Sequence, residues 1–316
     1  VSAEGSRPGP SSSSQPPWVG VMLPVQDFGD GFAPSLAMAR ESERLGFDSV
    51  WIGDHLVFRQ PIVEAIVMAS TVAAITDSIT IGFGVLQLAL RDPVWLAKQL
   101  GTLAHLSGDR IEVGVGLGGE NPAEWLAARV PPSERVGRTA ELMKLMPALL
   151  SGQPVTHSGR YYSLDVPALR PAPERTPTLW MGGRSEGALR RAARLADGWL
   201  GLWVDEARLA RSVADMAALA AEADRPAPAT ALVVPVIVQP DPAVAEQELT
   251  RFVAMQYGGD YQRFARWCVS GSVDAVAERL SRLAAAGATG FVLMPAARDP
   301  LADLEPLAAV RAAIRG

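Results

Sequence analysis

From Trp18 almost to its end, the chain alternates between near-continuous apolar runs and stretches whose apolar residues recur at helical spacing. The run WVGVMLPVQD (18–27) is β-branched and apolar, and it predicts a strand followed by a helix at about 34–46 that stops at Gly46. FDSVWIGDHL (47–56) predicts a second strand, with its helix over 61–76. ITIGFGVLQLA (79–89) predicts a third, after which Asp92 caps and Pro93 opens the helix DPVWLAKQLGTLAHLSG. RIEVGVGLGG (110–119) is a fourth strand ending in glycines, followed by a helix over about 133–151. After a break, TLWMGG (178–183), DGWLGLW (197–203), TALVVPVIVQ (230–239) and TGFVLMPA (289–296) bring the strands to eight. Helices are expected at 185–195, 205–223, 242–256, 272–286 and 300–315.

Three junctions, RLGFDSVWIGDH, RLADGWLGLWV and AAGATGFVLMP, end a helix at Gly or Asp and enter a buried strand within a few residues. That is the step of a repeating β–α unit. Strands that are apolar throughout, rather than alternating, are covered on both faces and run parallel. Eight such units in a chain of 316 residues fit a closed α/β barrel, the (β/α)8 TIM barrel, better than an open doubly wound sheet, which stands as the alternative. Residues 152–177, rich in Pro, Gly and Tyr, break the rhythm and are expected as an insertion over the C-terminal mouth. Residues 1–17, VSAEGSRPGPSSSSQPP, read as a disordered tail that lacks the apolar core of a signal peptide. Residues 18–316 read as one domain.

Composition narrows the partners. With 48% hydrophobic and 20% charged residues, the chain can build a large core. A net charge of −5 offers no footprint for nucleic acid or a membrane surface. No segment reaches the ~18 uninterrupted apolar residues of a membrane span. The single cysteine, Cys268, excludes an intrachain disulfide framework and points to a cytoplasmic setting. The only two lysines, Lys98 and Lys144, fall in predicted helices, which argues against the strand-end Schiff base of a barrel aldolase. No His-x-His, helical His pair or Cys cluster supports a metal centre.

In an eight-fold barrel the active-site groups come from the C-terminal ends of the strands. This selects Gln26 and Asp27, Asp54 and His55, Val85 to Leu88, Gly116 to Asn121, Gly182 to Ser185, Trp203, Gln239, and Met294 with Arg298. His55 alone among three histidines sits at a predicted strand end, where a neutral imidazole can accept or donate a proton near pH 7. Asp54 beside it is positioned to orient it or to add charge; the plainer reading is a cap at Asp54 and packing at His55. Gly182 and Gly183 close a strand just before a helix, so backbone N–H groups there, with Ser185 and Arg184, suit a phosphate; a capped tight turn is the alternative. GVGLGGEN (114–121) either lets a flat ring approach the backbone or admits bulky neighbours. It is not a dinucleotide fingerprint, because Pro122 and Trp125 stand where an unbroken helix is expected. The tryptophans at 51, 180, 199 and 203 read mainly as core.

Together, ERLGFDSVWIGDH (43–55), the run IGFGVLQLALRDPVWLAKQLGTLAHLSGDRIEVGVGLGG (81–119), VPPSERVGRTAELM (130–143), GRYYSL (159–164) and LWMGGRSEGALRRAARLADGW (180–199) resemble the luciferase-like monooxygenase superfamily, in order and over most of the chain. The resemblance implies His55 as the active-site histidine near the reactive part of a flavin or deazaflavin, with Asp54 beside it. It implies a non-proline cis peptide at Gly84–Val85 behind the ring, Gly116 near the ring, and a phosphate turn at Gly182, Gly183, Arg184 and Ser185. The WIGDH form, and Leu117 where bacterial luciferase carries an arginine, favour coenzyme F420 over FMN. F420 would make the protein a dehydrogenase or reductase of a small-molecule substrate held beneath 152–176; FMN would make it a monooxygenase. A flavin or F420 reductase supplying reduced cofactor and a homodimer through the early barrel helices are further implications. A non-catalytic flavin-binding barrel and a cofactor-free lyase or hydrolase are the competing readings.

Overall fold

Eight parallel strands close into a ring in a computed structural model, which describes residues 15–316 apart from 28, 30 and 120. All but the last three residues of the expected tail lie outside the described residues. The strands in chain order are β1 (Trp18–Met22), β2 (Ser49–Ile52), β3 (Thr80–Gln87), β4 (Ile111–Gly116), β5 (Val155–Ser158), β6 (Ser163–Val166), β7 (Thr178–Gly182), β8 (Gly198–Leu202), β9 (Ala229–Val238), β10 (Val269–Gly271) and β11 (Gly290–Pro295). The ring runs β9-β11-β1-β2-β3-β4-β7-β8 and is closed by pairing of β8 with β9. It is the (β/α)8 barrel, and the eight strands are the eight apolar runs. β10 adds in parallel to the C-terminal end of β9, and β5 with β6 forms a separate antiparallel hairpin.

The helices are α1 (Ala33–Arg44), α2 (Ala65–Ile75), α3 (Pro93–Ser107), α4 (Pro122–Ala127), α5 (Arg135–Leu149), α6 (Glu186–Leu195), α7 (Glu206–Ala221), α8 (Pro242–Tyr257), α9 (Val273–Ala285) and α10 (Leu304–Ala313). Their starts follow cap chemistry: Asp92 accepts from Val94 and Trp95 N–H, and Ser185 from Ala188 N–H. The short helix α4 is a departure from the sequence reading. Asn121 caps it and Pro122 opens it, so the glycines of 114–119 lead into a helix after all.

Inside the ring, one end is filled by Trp18, Trp51 and Trp180, whose rings lie 5.8–6.3 Å apart, Trp18 stacked on Trp51 and both edge-on to Trp180. Glycines 82, 198 and 290 on neighbouring strands leave the room: a Cβ at any of them would overlap a tryptophan. The strand interior is thus packed rather than open, and a site must be built on the loops at the C-terminal ends.

Two long segments reach those loops. The hairpin β5–β6 is fastened to α5 through Glu141, which accepts from the N–H groups of Arg160, Tyr161 and Tyr162. The chain after it lies along α3, where Lys98 donates to Arg170 O and Asp109 accepts from Glu174 N–H. The 152–177 insertion therefore meets the rim from the flank, lining a groove with Ala89–Val94 and Ala128–Val130. A second segment, 256–268, also reaches the mouth. Gln26 Nε2 donates to Gln256 Oε1 (2.7 Å), Arg59 donates to Tyr257 O (3.3 Å), and Tyr257 Oη reaches Met294 Sδ (3.6 Å). These contacts tie the segment to the ends of β1, β2 and β11.

Candidate active site

After β2 the chain passes Gly53 onto the rim, and its next two side chains part company. The Asp54 carboxylate, buried, takes both arms of the Arg91 guanidinium (2.8 and 2.9 Å) and the Gln87 N–H (2.9 Å). Arg91 also donates to Glu64 (2.8 Å). Burial works to lower the Arg91 pKa, but Asp54 and Glu64 outweigh it and the net direction is upward. His55 turns instead to Glu124 on α4, with Nδ1 at 3.1 and 3.3 Å from its two oxygens. Glu124 is fully buried, and it also accepts from the Leu56 N–H (2.7 Å) and from Gln87 Nε2 (3.2 Å). Phe58 packs on the imidazole with ring centres 4.4 Å apart. The expectation that Asp54 orients His55 is corrected here: Asp54 is saturated by Arg91 and Gln87, and the carboxylate beside His55 is Glu124.

β3 slips its register with β4 between Phe83 and Leu86, and the Gly84–Val85 peptide is cis, at the expected position. Phe83 and Leu86 face the outer core, whereas Val85 joins the interior cluster with Trp51 and Trp180, and a Cβ on Gly84 would meet Met22 and Trp51. The irregularity thus turns two successive residues inward, which regular alternation forbids. Val85 then covers the inner faces of β4 and β7: a Cβ at Gly116 would overlap it, and one at Gly182 would lie 3.0 Å from it. Gly116 accordingly makes room for Val85, as the bulky-neighbour reading has it. Through Val85 and Gln87, the His55 network and the end of β7 belong to one continuous surface.

At the end of β7, Gly183 adopts φ +104°, a conformation side chains rarely take, and its carbonyl accepts from Trp199 Nε1 (2.6 Å). Ser185 caps α6, so the first-turn N–H groups of Glu186 and Gly187 have no intrahelical acceptor. Arg184 donates to Trp203 O (3.2 Å) and receives a bond at its own carbonyl from Arg208 Nη2 (2.5 Å). Arg184 and Arg266 both lie over the Trp267 ring, at 5.0 and 4.2 Å from its centre. Burial first, then Arg208 and Arg266, lower the Arg184 pKa. Glu186 and Glu206 of the adjoining helices pair with Arg190 and with Arg279 and Arg282. Among the described residues no carboxylate pairs with Arg184, Arg208 or Arg266. A helix N-terminus next to Arg184, with Arg208 on the Arg184 carbonyl and Arg266 on the shared Trp267 ring, is a setting that suits anionic groups.

The model of the luciferase-like monooxygenase family matches residues 7–290. The chain belongs to that family. An F420-dependent glucose-6-phosphate dehydrogenase of Kineococcus radiotolerans is 30% identical over 195 residues, which cover 59% of this chain and 56% of that enzyme. An uncharacterised protein of Mycobacterium tuberculosis is 30% identical over 213 residues, 61% of this chain and 73% of its own length. Among solved structures, an F420-dependent secondary alcohol dehydrogenase in complex with an F420–acetone adduct superposes with a TM-score of 0.85 at 20% identity, covering 96% of this chain and all of that one. The EDTA monooxygenase of Chelativorans sp. BNC1 gives 0.77 at 18% identity, with 95% of each chain covered. The protein is thus a luciferase-like oxidoreductase, of a family with both F420-dependent members and monooxygenases.

The remaining rim residues of this luciferase-like barrel serve the frame. Gln26 holds Gln256, Asp27 accepts from the N–H groups of Gly29 and Gly31, and Gln239 accepts from the Asp241 N–H. Trp203, at φ +60°, stands in a cluster with Tyr257, Phe264 and Trp267, ring centres 4.7–6.0 Å from its own. Sequence reading passed over Glu124, Arg91, Arg208 and Arg266. For Glu124 a signal existed: Asn121-Pro-Ala-Glu is a capping-box pattern, and it starts a helix at the rim. Among the described residues no group of three or more His, Cys, Asp or Glu is placed to hold a metal, and no helix is long and apolar enough to cross a membrane.

Proposed function

We propose that the protein is an F420-dependent oxidoreductase that exchanges a hydride with a small organic substrate and works as a homodimer. The observation that carries this reading is the cluster after β7, where Arg184, next to a helix N-terminus, has Arg208 and Arg266 near it and none of the three has a carboxylate partner among the described residues, at the barrel end that also bears His55. FMN offers such a cluster one phosphate. F420 offers a phosphodiester and, beyond it, the carboxylates of its glutamate tail, which is the better match for three cations. Identity to an F420-dependent dehydrogenase supports the same choice.

When bound, F420 supplies a hydride donor or acceptor. Gly182, Gly183, Arg184 and Ser185 would hold its phosphate, Arg208 and Arg266 the carboxylates beyond, and Gly84 and Val85 would stand behind its ring. His55 takes up or returns the proton that the substrate exchanges. The segment 256–268, with its aromatic cluster, excludes water from the mouth.

Anaerobic fluorescence titration of the purified protein with F420 and with FMN tests the reading. F420 is expected to bind at least about tenfold more tightly, roughly 1.4 kcal/mol, and to weaken with added salt. Tighter binding of FMN, with oxygen uptake by the protein loaded with reduced flavin, would make it a monooxygenase. Binding of neither would return it to the cofactor-free barrels.

A further inference from the structure

We propose that Glu124 is a positioning residue that decides which nitrogen of His55 handles the proton: it takes the hydrogen of Nδ1 and leaves Nε2 to the substrate. This rests on the reading of His55 as the proton-handling group.

The argument is a count of hydrogens. Glu124 is fully buried, and the groups around its carboxylate are the Leu56 N–H at 2.7 Å, the Val57 N–H at 3.4 Å, Gln87 Nε2 at 3.2 Å and His55 Nδ1 at 3.1 Å. The first three can only donate. The two hydrogens of the Gln87 amide are directed to Asp54 O (3.2 Å) and to Glu124, so its 3.3 Å approach to Nδ1 is not a bond. Nδ1 must therefore carry a hydrogen and give it to the carboxylate. A neutral imidazole has one N–H, so fixing it at Nδ1 leaves a lone pair on Nε2. A carboxylate behind the ring thus holds the imidazole in the tautomer whose Nε2 can take a proton. Phe58 against the ring face holds its tilt.

The competing idea is that Glu124 only stitches α4 to the loop after β2. Glu124→Gln separates the two. Its carbonyl oxygen, at the place of Oε1, still accepts from the Leu56 N–H, while its amide nitrogen, at the place of Oε2, sets a donor 3.3 Å from Nδ1 where the wild type has an acceptor. The stitch survives while the preference for a hydrogen on Nδ1 weakens.

Two-bond ¹⁵N–¹H spectra of the full chain, at a pH where the imidazole is neutral, read the tautomer directly. With three histidines in the sequence, single His→Ala variants assign the signals. The wild type is expected as the Nδ1–H form and Glu124→Gln with a raised share of the Nε2–H form. With F420 and substrate, Glu124→Gln should lose about 100-fold or more in kcat while KM stays within about twofold. A wild type in the Nε2–H form overturns the proposal, whether or not the variant folds, and so does a variant whose share of Nδ1–H equals that of the wild type. Because the spectra need no cofactor, they judge Glu124 alone; full turnover in His55→Ala would instead remove His55 from the reaction.

Discussion

Two glutamate–histidine pairs in this molecule are built alike and placed differently. Glu124 meets His55 at the barrel mouth, and Glu141 meets His157 on the flanking hairpin, each with a nitrogen–oxygen distance of 3.1 Å. Each carboxylate also fastens the loop that follows its histidine: Glu124 accepts from Leu56 N–H, Glu141 from Arg160, Tyr161 and Tyr162 N–H. The pair is thus first of all a loop fastener. The surroundings differ. Glu124 has no exposed side-chain surface and is joined through Gln87 to the Asp54–Arg91 ion pair, whereas Glu141 keeps 14% exposure and touches only α5 and its hairpin. The mouth pair uses Nδ1 and the hairpin pair Nε2. A carboxylate beside an imidazole is therefore no sign of chemistry by itself; the C-terminal end of a barrel strand is what makes one of the two a candidate.

The sharpest way to break the comparison is to delete each histidine in turn. His55→Ala should lower turnover about 10²- to 10⁴-fold with cofactor affinity kept. His157→Ala should leave turnover at the wild-type level. Equal losses would mean that the reaction does not distinguish the mouth from the flank. The next largest effect is expected in stability and comes from what only the mouth pair possesses. Arg91→Ala strands the Asp54 carboxylate, whose side chain is 2% exposed, without its bidentate partner. Breaking a buried pair from one side costs about 3–5 kcal/mol, and urea unfolding should show it. Removing both charges at once, Arg91→Met with Asp54→Asn, should recover most of that loss. If the single and the double variant are equally unstable, the ion pair is not what anchors the rim.

The same contrast explains what could be read from the chain beforehand. The eight strands were legible because parallel barrel strands are apolar on both faces, and the turn and helix cap after β7 were legible because Gly182, Gly183 and Ser185 act through local backbone and cap chemistry. Partnerships between side chains were not. Asp54 and His55 are adjacent in sequence, yet successive residues in extended chain point to opposite sides, and one found Arg91 while the other found a glutamate 69 positions away. That Gly116 makes room for Val85 was one of two open readings, because the inward turn of Val85 at the slip in β3 cannot be seen in a hydrophobic pattern. The insertion 152–177 showed its turn residues but not its partners, which α3 and α5 supply. The mouth segment 256–268 hid in a stretch without periodicity.

The smallest expected effect isolates the fastening role without the chemistry. Burial works to raise the pKa of Glu141, but His157 and the N–H groups of Tyr161 and Tyr162 outweigh it, and the net direction is below the ordinary 4.5. Folding therefore favours the charged form. Its stabilisation is complete above the ordinary glutamate range and is lost as the pH falls through the lower, folded-state value. Glu141→Gln should accordingly cost about 1 kcal/mol near neutral pH, the worth of a modest hydrogen-bond set at a partly exposed site. That cost should fade to nothing under acid conditions where the wild-type carboxylate is itself protonated. Urea midpoints across the acid range measure the difference. Turnover near neutral pH should stay at the wild-type level throughout, because the hairpin pair lies outside the mouth. A loss of kcat in Glu141→Gln comparable to that in Glu124→Gln would tie the flank to the reaction, and position at the strand ends would no longer separate the two pairs.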